Sequence, residues 1–175
     1  VYGMTAITAI VGRHPQTQKN VRTINLEAIE AQFHSAILHS GVDSLKTGML
    51  FSTEIIKTVA ELLKNSDIQH KVVDPVMVGK LDSVLLEESA IHALKNDILP
   101  QASVITPNMV EASILLDNRE IKSVEDMRQA AIDLNQAHKI PALVKGGRLK
   151  GDIAVDILCD GKQITYFETP KIDTI

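Results

Sequence analysis

Four short stretches of the 175-residue chain combine charge-handling side chains with residues that turn the backbone. They are Thr47-Gly48-Met49-Leu50, Asp74-Pro75-Val76-Met77, Thr106-Pro107-Asn108-Met109 and Lys145-Gly146-Gly147. Together they offer a carboxylate, an amide, an ammonium and glycines that expose backbone, and Glu111 adds a second carboxylate one helical turn after Asn108. An Asp and a Glu can organise Mg2+, directly or through water, in the oxygen shell that ion demands. A lysine beside glycine amides can neutralise phosphate. In combination these groups suit nucleoside triphosphate chemistry, where catalysis is mostly positioning and charge stabilisation.

Each stretch also has a plainer reading. Asp74 before Pro75 is good turn chemistry. Asn108 with Glu111 has the form of a helix N-cap and its capping-box partner. Lys145 before two glycines can be a solvated lysine at a turn. What favours chemistry is their common placement at the ends of strands. The familiar phosphate motifs, G-x-x-x-x-G-K-[ST] and G-x-G-x-x-G, do not occur.

The elements that must position these groups follow from periodicity. Met4 to Val11 is apolar and β-branched, which predicts a buried strand. Asn25 is placed to cap a helix carrying Leu26, Ile29, Phe33 and Ile37, ending near Gly41. A short strand over 43–47, a helix over 53–64, a strand over 71–73 and a helix over 89–99 follow. The strand over 102–106 leads into the helix that contains Glu111, Ser123 caps another helix running to about His138, and a strand covers 142–145. The runs 153–159 and 163–167 flank Asp160-Gly161, a strong hairpin signal. Strands alternating with helices imply right-handed crossovers and a mostly parallel sheet. The expected fold is therefore α/β, three-layer and doubly wound, with helices on both faces and an antiparallel edge hairpin. Ligands of such sheets bind beyond the carboxyl ends of the strands, where the four stretches fall.

Bulk properties narrow the partners. The chain is 45% hydrophobic and 23% charged with a formal net charge of -4. It lacks the clustered basic face of a nucleic-acid binder, and no apolar run approaches the roughly 18 residues of a bilayer span. The lone Cys159 excludes an internal disulfide, which fits a reducing, cytoplasmic setting.

Five ordered motifs, V-Y-G-M-T-A, K-T-G-M-L, V-V-D-P-V-M-V, I-T-P-N-M-V-E-A and L-V-K-G-G, resemble those of phosphomethylpyrimidine kinases of the ribokinase superfamily. The ribokinase-type pyridoxal kinases are equally similar, and the likeness spans nearly the whole chain. It implies a single ribokinase-like kinase domain over residues 1–175. It also implies transfer of the ATP γ-phosphate to the hydroxymethyl group of a heteroaromatic vitamin precursor: hydroxymethylpyrimidine or its phosphate in thiamine biosynthesis, or pyridoxal in vitamin B6 salvage. By the same resemblance Asp74 and Glu111 would organise Mg2+, and Asn108, Lys145, Gly147 and Lys80 would attend the nucleotide phosphates. Gly48, Met49 and Val78 would line the ring pocket, and a homodimer is the common assembly.

The chain also departs from the family pattern. Members carry a G-S-D-x-x-x-G-A-G-x-x-A-D segment before V-Y-G-M and a G-[TA]-G-C-T segment with the catalytic base after the point matching Ile175. The domain is therefore expected to be incomplete at both ends, with its base beyond Ile175. Where thiamine-pathway members have A-Q-N-T, this chain has Val11-Gly12-Arg13-His14-Pro15, which keeps pyridoxal-type substrates in play. The competing reading is an inactive vitamer-binding or oligomerisation domain of the same fold. The six histidines lack metal-ligand spacing, and Cys159 reads as core.

Overall fold

A computed structural model describes residues 1–12, 20–78, 86, 88–147 and 149–172. A six-stranded sheet forms the centre, built from β3 (Ser44–Thr47), β4 (His70–Val73), β5 (Val104–Ile105), β6 (Ala142–Lys145), β7 (Ile153–Cys159) and β8 (Ile164–Pro170) in that spatial order. The first four strands are parallel, and β7 and β8 close the order as an antiparallel hairpin. This is the expected mixed α/β fold with its antiparallel edge. A separate two-stranded antiparallel ribbon joins β1 (Ala9–Gly12) to β2 (Asn20–Thr23).

The crossovers step in one direction across the sheet, and right-handed connections in that order deliver their helices to one face, so the described residues do not supply the helices expected on both. Helix α2 (Thr53–Lys64) starts where Ser52 Oγ accepts from the Ile55 amide at 3.3 Å. It buries Ile55, Ile56, Val59, Ala60 and Leu63 as a single stripe. Fully burying such a side chain is worth roughly 1.5–3 kcal/mol relative to exposure, so the stripe holds the helix to the core. Helix α5 (Val124–His138) opens with a Ser123–Asp126 capping box and lays Met127, Ala130, Ala131 and Leu134 against β6 and β7. The paired residues Thr47, Val73, Ile105 and Ala142 lie on this buried face. One residue away, Val72, Val104 and Leu143 lie on the opposite face and are half-buried.

Two local expectations are corrected. Met4 to Val11 is not a buried strand of the main sheet. Only Ala9–Gly12 is extended, it pairs in the ribbon, and Ile10 and Val11 are exposed. A β-branched run announces a strand without saying what surface covers it. The helix expected over 89–99 is α3 (Glu88–Ala93), followed by a π-helical stretch Leu94–Ile98 and a 3-10 turn Leu99–Gln101. Pro100 has no N–H to continue an α-helix, and the irregular turns keep Leu94, Ile98 and Leu99 buried. Helix α1 (Leu26–Ser40) is capped by Asn25 and stops at Gly41, as its sequence predicts.

Candidate functional site

The register sets out the rim. Thr47 pairs with Val73, Val73 with Ile105 and Ile105 with Ala142, so β3, β4 and β5 end level and the parallel β6 runs on past them to Lys145 at the same edge of the sheet. Thr47, Val73 and Val144 face the buried side, and alternation turns Lys46, Asp74 and Lys145 to the other side. There they meet. Asp74 Oδ1 accepts from Lys145 Nζ at 3.0 Å, and Asp74 Oδ2 accepts from Lys46 Nζ at 2.8 Å. The Asp74 side chain is 15% exposed, Lys145 35% and Lys46 58%.

Asn108 starts α4 (Met109–Leu115), and its Oδ1 accepts from the amides of Val110 and Glu111 at 2.9 and 3.0 Å. Glu111 Oε2 accepts from the Asn108 amide at 2.8 Å, completing a capping box. The Lys145 amide donates to Pro107 O at 2.9 Å, so the start of α4 is tied to the end of β6. Glu111 is 2% exposed. Burial pushes its carboxyl above the ordinary carboxylate value. The Asn108 amide and the Lys145 ammonium pull it back, Asp74 adds to the rise, and the Met77 amide lowers it. Asp74, Glu111 and Lys145 therefore share one electrostatic neighbourhood.

The plain readings hold alongside this convergence. Asn108 and Glu111 form a true cap, and the Val76 amide donates to Asp74 O at 2.9 Å in a turn. Gly48 and Gly147 are exposed, and an added Cβ at either would meet nothing within 4 Å. Met49 is half-buried beside Gly48, and its carbonyl accepts from Thr8 Oγ1 at 2.8 Å. Val78 is 7% exposed and belongs to the hydrophobic core. Lys80 lies outside the described residues.

Three rim residues are given no role of their own in the sequence reading. Lys46 is one, although it opens the K-T-G-M-L motif and counting by twos along β3 would have turned it outward. Asp156, opposite Lys145 in the β6–β7 register, accepts from the Gly146 amide at 2.9 Å. Gly146 is the third: an added Cβ there would lie 2.3 Å from Val155 O and 2.6 Å from Met127 Cε. Packing thus demands glycine at 146, whereas the sequence draws attention to 147.

Two further groups mark the same edge. Thr47 Oγ1 and Thr106 Oγ1 are buried and find no hydrogen-bond partner among the described residues. A cavity of about 840 Å3 lies elsewhere, between α1 and α2. Its lining includes Gly41 and Val42 before β3 and Asp67 and Ile68 before β4, at the amino-terminal ends of the strands and away from these charges. Among the described residues no cluster of three or more His, Cys, Asp or Glu could hold a metal alone. Mg2+ usually takes one or two carboxylates, waters and substrate phosphates, so Asp74 with Glu111 fits an ion that arrives on phosphates.

The fold and rim define a mixed α/β protein whose charged groups gather at the carboxyl ends of parallel strands. The chain belongs to the phosphomethylpyrimidine kinase family, whose model matches residues 1–175. It is 40% identical over 180 residues to a pyridoxine kinase of Bacillus subtilis, covering 99% of this chain and 65% of that protein. To a hydroxymethylpyrimidine/phosphomethylpyrimidine kinase of Streptomyces coelicolor it is 38% identical over 172 residues, covering 98% of this chain and 63% of that one. The crystal structure of an ADP complex of Bacillus subtilis pyridoxal kinase superposes with a TM-score of 0.89 at 39% identity, covering 99% of this chain and 66% of that chain. The chain thus spans just under two-thirds of the length of these curated relatives.

Proposed function

We propose that the protein is an ATP-dependent kinase of a heteroaromatic vitamin precursor, acting on hydroxymethylpyrimidine or its phosphate, or on pyridoxal. The observation that carries this is the meeting of Asp74 and Lys145 at 3.0 Å, beside the Asn108–Glu111 cap, on the carboxyl rim. The kinase names of the relatives and the ADP complex of the neighbouring structure agree with it.

In this reading Lys145 offsets phosphate charge, and the Asn108 side chain sits beside the phosphates. The exposed, side-chain-free Gly147 lets the backbone come close to the nucleotide. Gly48, Met49 and Val78 border the ring, and Lys80 is a further phosphate contact. Asp74 and Glu111 organise the Mg2+ shell. The ion, when bound, supplies charge neutralisation on the transferring phosphoryl group. The substrate hydroxymethyl oxygen attacks the γ-phosphorus, the bond from that phosphorus to the β–γ bridging oxygen breaks, and ADP leaves with the electron pair. The hydroxyl proton passes to a base that no residue of this chain is assigned to be. The buried Thr47 and Thr106 hydroxyls without partners are consistent with groups that meet ligand or water.

A cytoplasmic homodimer completes the reading. The single buried cysteine supports the compartment, and exposed Ile7, Ile10 and Val11 near and on the β1–β2 ribbon support the dimer. No helix among the described residues is long and apolar enough to cross a membrane.

The test is ADP release from ATP by the full-length protein, offered hydroxymethylpyrimidine, its phosphate and pyridoxal in turn. Phosphorylation of at least one is expected, and Glu111→Gln should weaken Mg-dependent ATP binding by calorimetry. No turnover with any of the three would overturn the assignment. Unchanged Mg-dependent binding in the variant would remove the metal role of Glu111.

A further inference from the structure

Lys46 makes the shorter of the two ammonium contacts to Asp74, yet the reading above gives it no task. Its Nζ stands 2.8 Å from Asp74 Oδ2 and 3.3 Å from Thr47 O, held across the end of β3. The other oxygen of the same carboxylate is taken by Lys145. Each oxygen therefore already accepts from an ammonium, so a cation approaching Asp74 meets positive charge on both sides of the carboxylate.

The two lysines are not equivalent. The Lys145 side chain is 35% exposed, and its backbone is bonded to Pro107 beside the start of α4. Lys46 is 58% exposed, so its pairing with Asp74 is screened by water and easily exchanged. Its flexible four-carbon stem lets the ammonium swing without moving β3.

We propose that Lys46 is a positioning residue of the phosphate rim, clamping Asp74 with Lys145 until a polyphosphate draws the Lys46 ammonium onto its own oxygens and frees Asp74 Oδ2 for a divalent cation. The inference rests on the nucleotide reading of the rim and deepens it. Lys46 then couples the two halves of a metal–polyphosphate ligand: without phosphate it competes with the cation, and with phosphate it binds the anion. A merely structural ion pair would not act in opposite directions on the two.

The experiment uses the protein with Lys46→Met and Lys46→Arg, measuring Mn2+ binding by electron paramagnetic resonance and inorganic triphosphate binding by calorimetry. Lys46→Met is expected to tighten Mn2+ alone and to weaken triphosphate, each about two- to fivefold, the scale of an exposed ion pair. Lys46→Arg should restore triphosphate affinity. Because Lys46 is more than half exposed the variant keeps its core, and an unchanged unfolding midpoint serves as the control. If Lys46→Met leaves both affinities unchanged, or moves both the same way, the role of Lys46 is overturned while the nucleotide reading stands. If the unaltered protein binds neither Mn2+ nor triphosphate, the nucleotide reading itself falls and takes this one with it.

Discussion

Asp74 and Lys145 are 71 positions apart in the chain, and their side chains meet at 3.0 Å across β5. Val73, Ile105 and Ala142 stand in register, so β6 runs three residues past the end of β4 and the long Lys145 side chain spans the offset to Asp74. Replacing Lys145 by Met keeps its bulk and removes the ammonium. A hydrogen bond to a charged group contributes about 1.5–3 kcal/mol, so ATP affinity should fall roughly 10- to 100-fold. The unfolding midpoint should barely move, since pairs this exposed add about 0–1 kcal/mol. Calorimetric titration with Mg·ATP, alongside a thermal melt, checks both halves.

Asn108 holds the start of α4, and under the proposed function it also serves the nucleotide; two substitutions separate these tasks. Asn108→Ala deletes the acceptor for the Val110 and Glu111 amides and should cost about 1 kcal/mol in urea unfolding. Asn108→Ser keeps a capping oxygen but loses the side-chain amide. It should retain nearly full stability and still bind ATP less tightly. Equal ATP affinity for the serine variant and the native protein would confine Asn108 to the cap.

Gly146→Ala should be among the most disruptive small changes available at the rim. The new methyl would stand 2.3 Å from Val155 O, a backbone atom that moves only if β7 shifts. Overpacking of this kind typically costs 1–3 kcal/mol, which lowers the melting temperature by roughly 3–10 °C in a domain of this size. Gly147→Ala meets open space and should melt close to the native protein. Differential scanning calorimetry on the pair gives the comparison.

His138 supplies a pH dependence. Burial, and then the Lys95 charge, hold its pKa below the ordinary value of 6.5, so the fold prefers the neutral ring. The unfolded chain binds the extra proton more readily, hence stability is full above about 6.5 and declines as pH drops toward the lowered folded value. His138→Gln should flatten that part of the stability profile. Urea midpoints recorded from pH 7.5 down to pH 5 would reveal it, and an unchanged slope in the variant would exclude His138 as the source.

Much of the architecture is legible in the sequence because local chemistry and global fold agree. Asn25, Asn108 and Ser123 each cap the helix their positions announce, and Ala142–Lys145 is extended just where the apolar run ends in glycine. The rim is legible for a topological reason: four unusual strand ends can coincide only if the strands are parallel. What the residues do not disclose is which surfaces meet. Met4 to Val11 has the makeup of a core strand, and its extended part lies in an exposed ribbon because nothing in the run specifies a partner. Lys46 looks like an ordinary solvated lysine until the β3–β4 pairing sets it beside Asp74. At Gly146 the constraint is a neighbour 19 residues back, Met127, and a carbonyl on β7, neither visible to local pattern.

Strands β3 to β8 stand in space in the same succession as along the polypeptide. Synthesis from the amino end can therefore extend the sheet outward, each new strand laid against one already in place. On that route Lys46 and Asp74 are joined early, while the second ammonium waits for residue 145 to leave the ribosome. A nascent chain halted before that residue would hold Asp74 with one ammonium in place of two, and the rim would mature only as β6 docks.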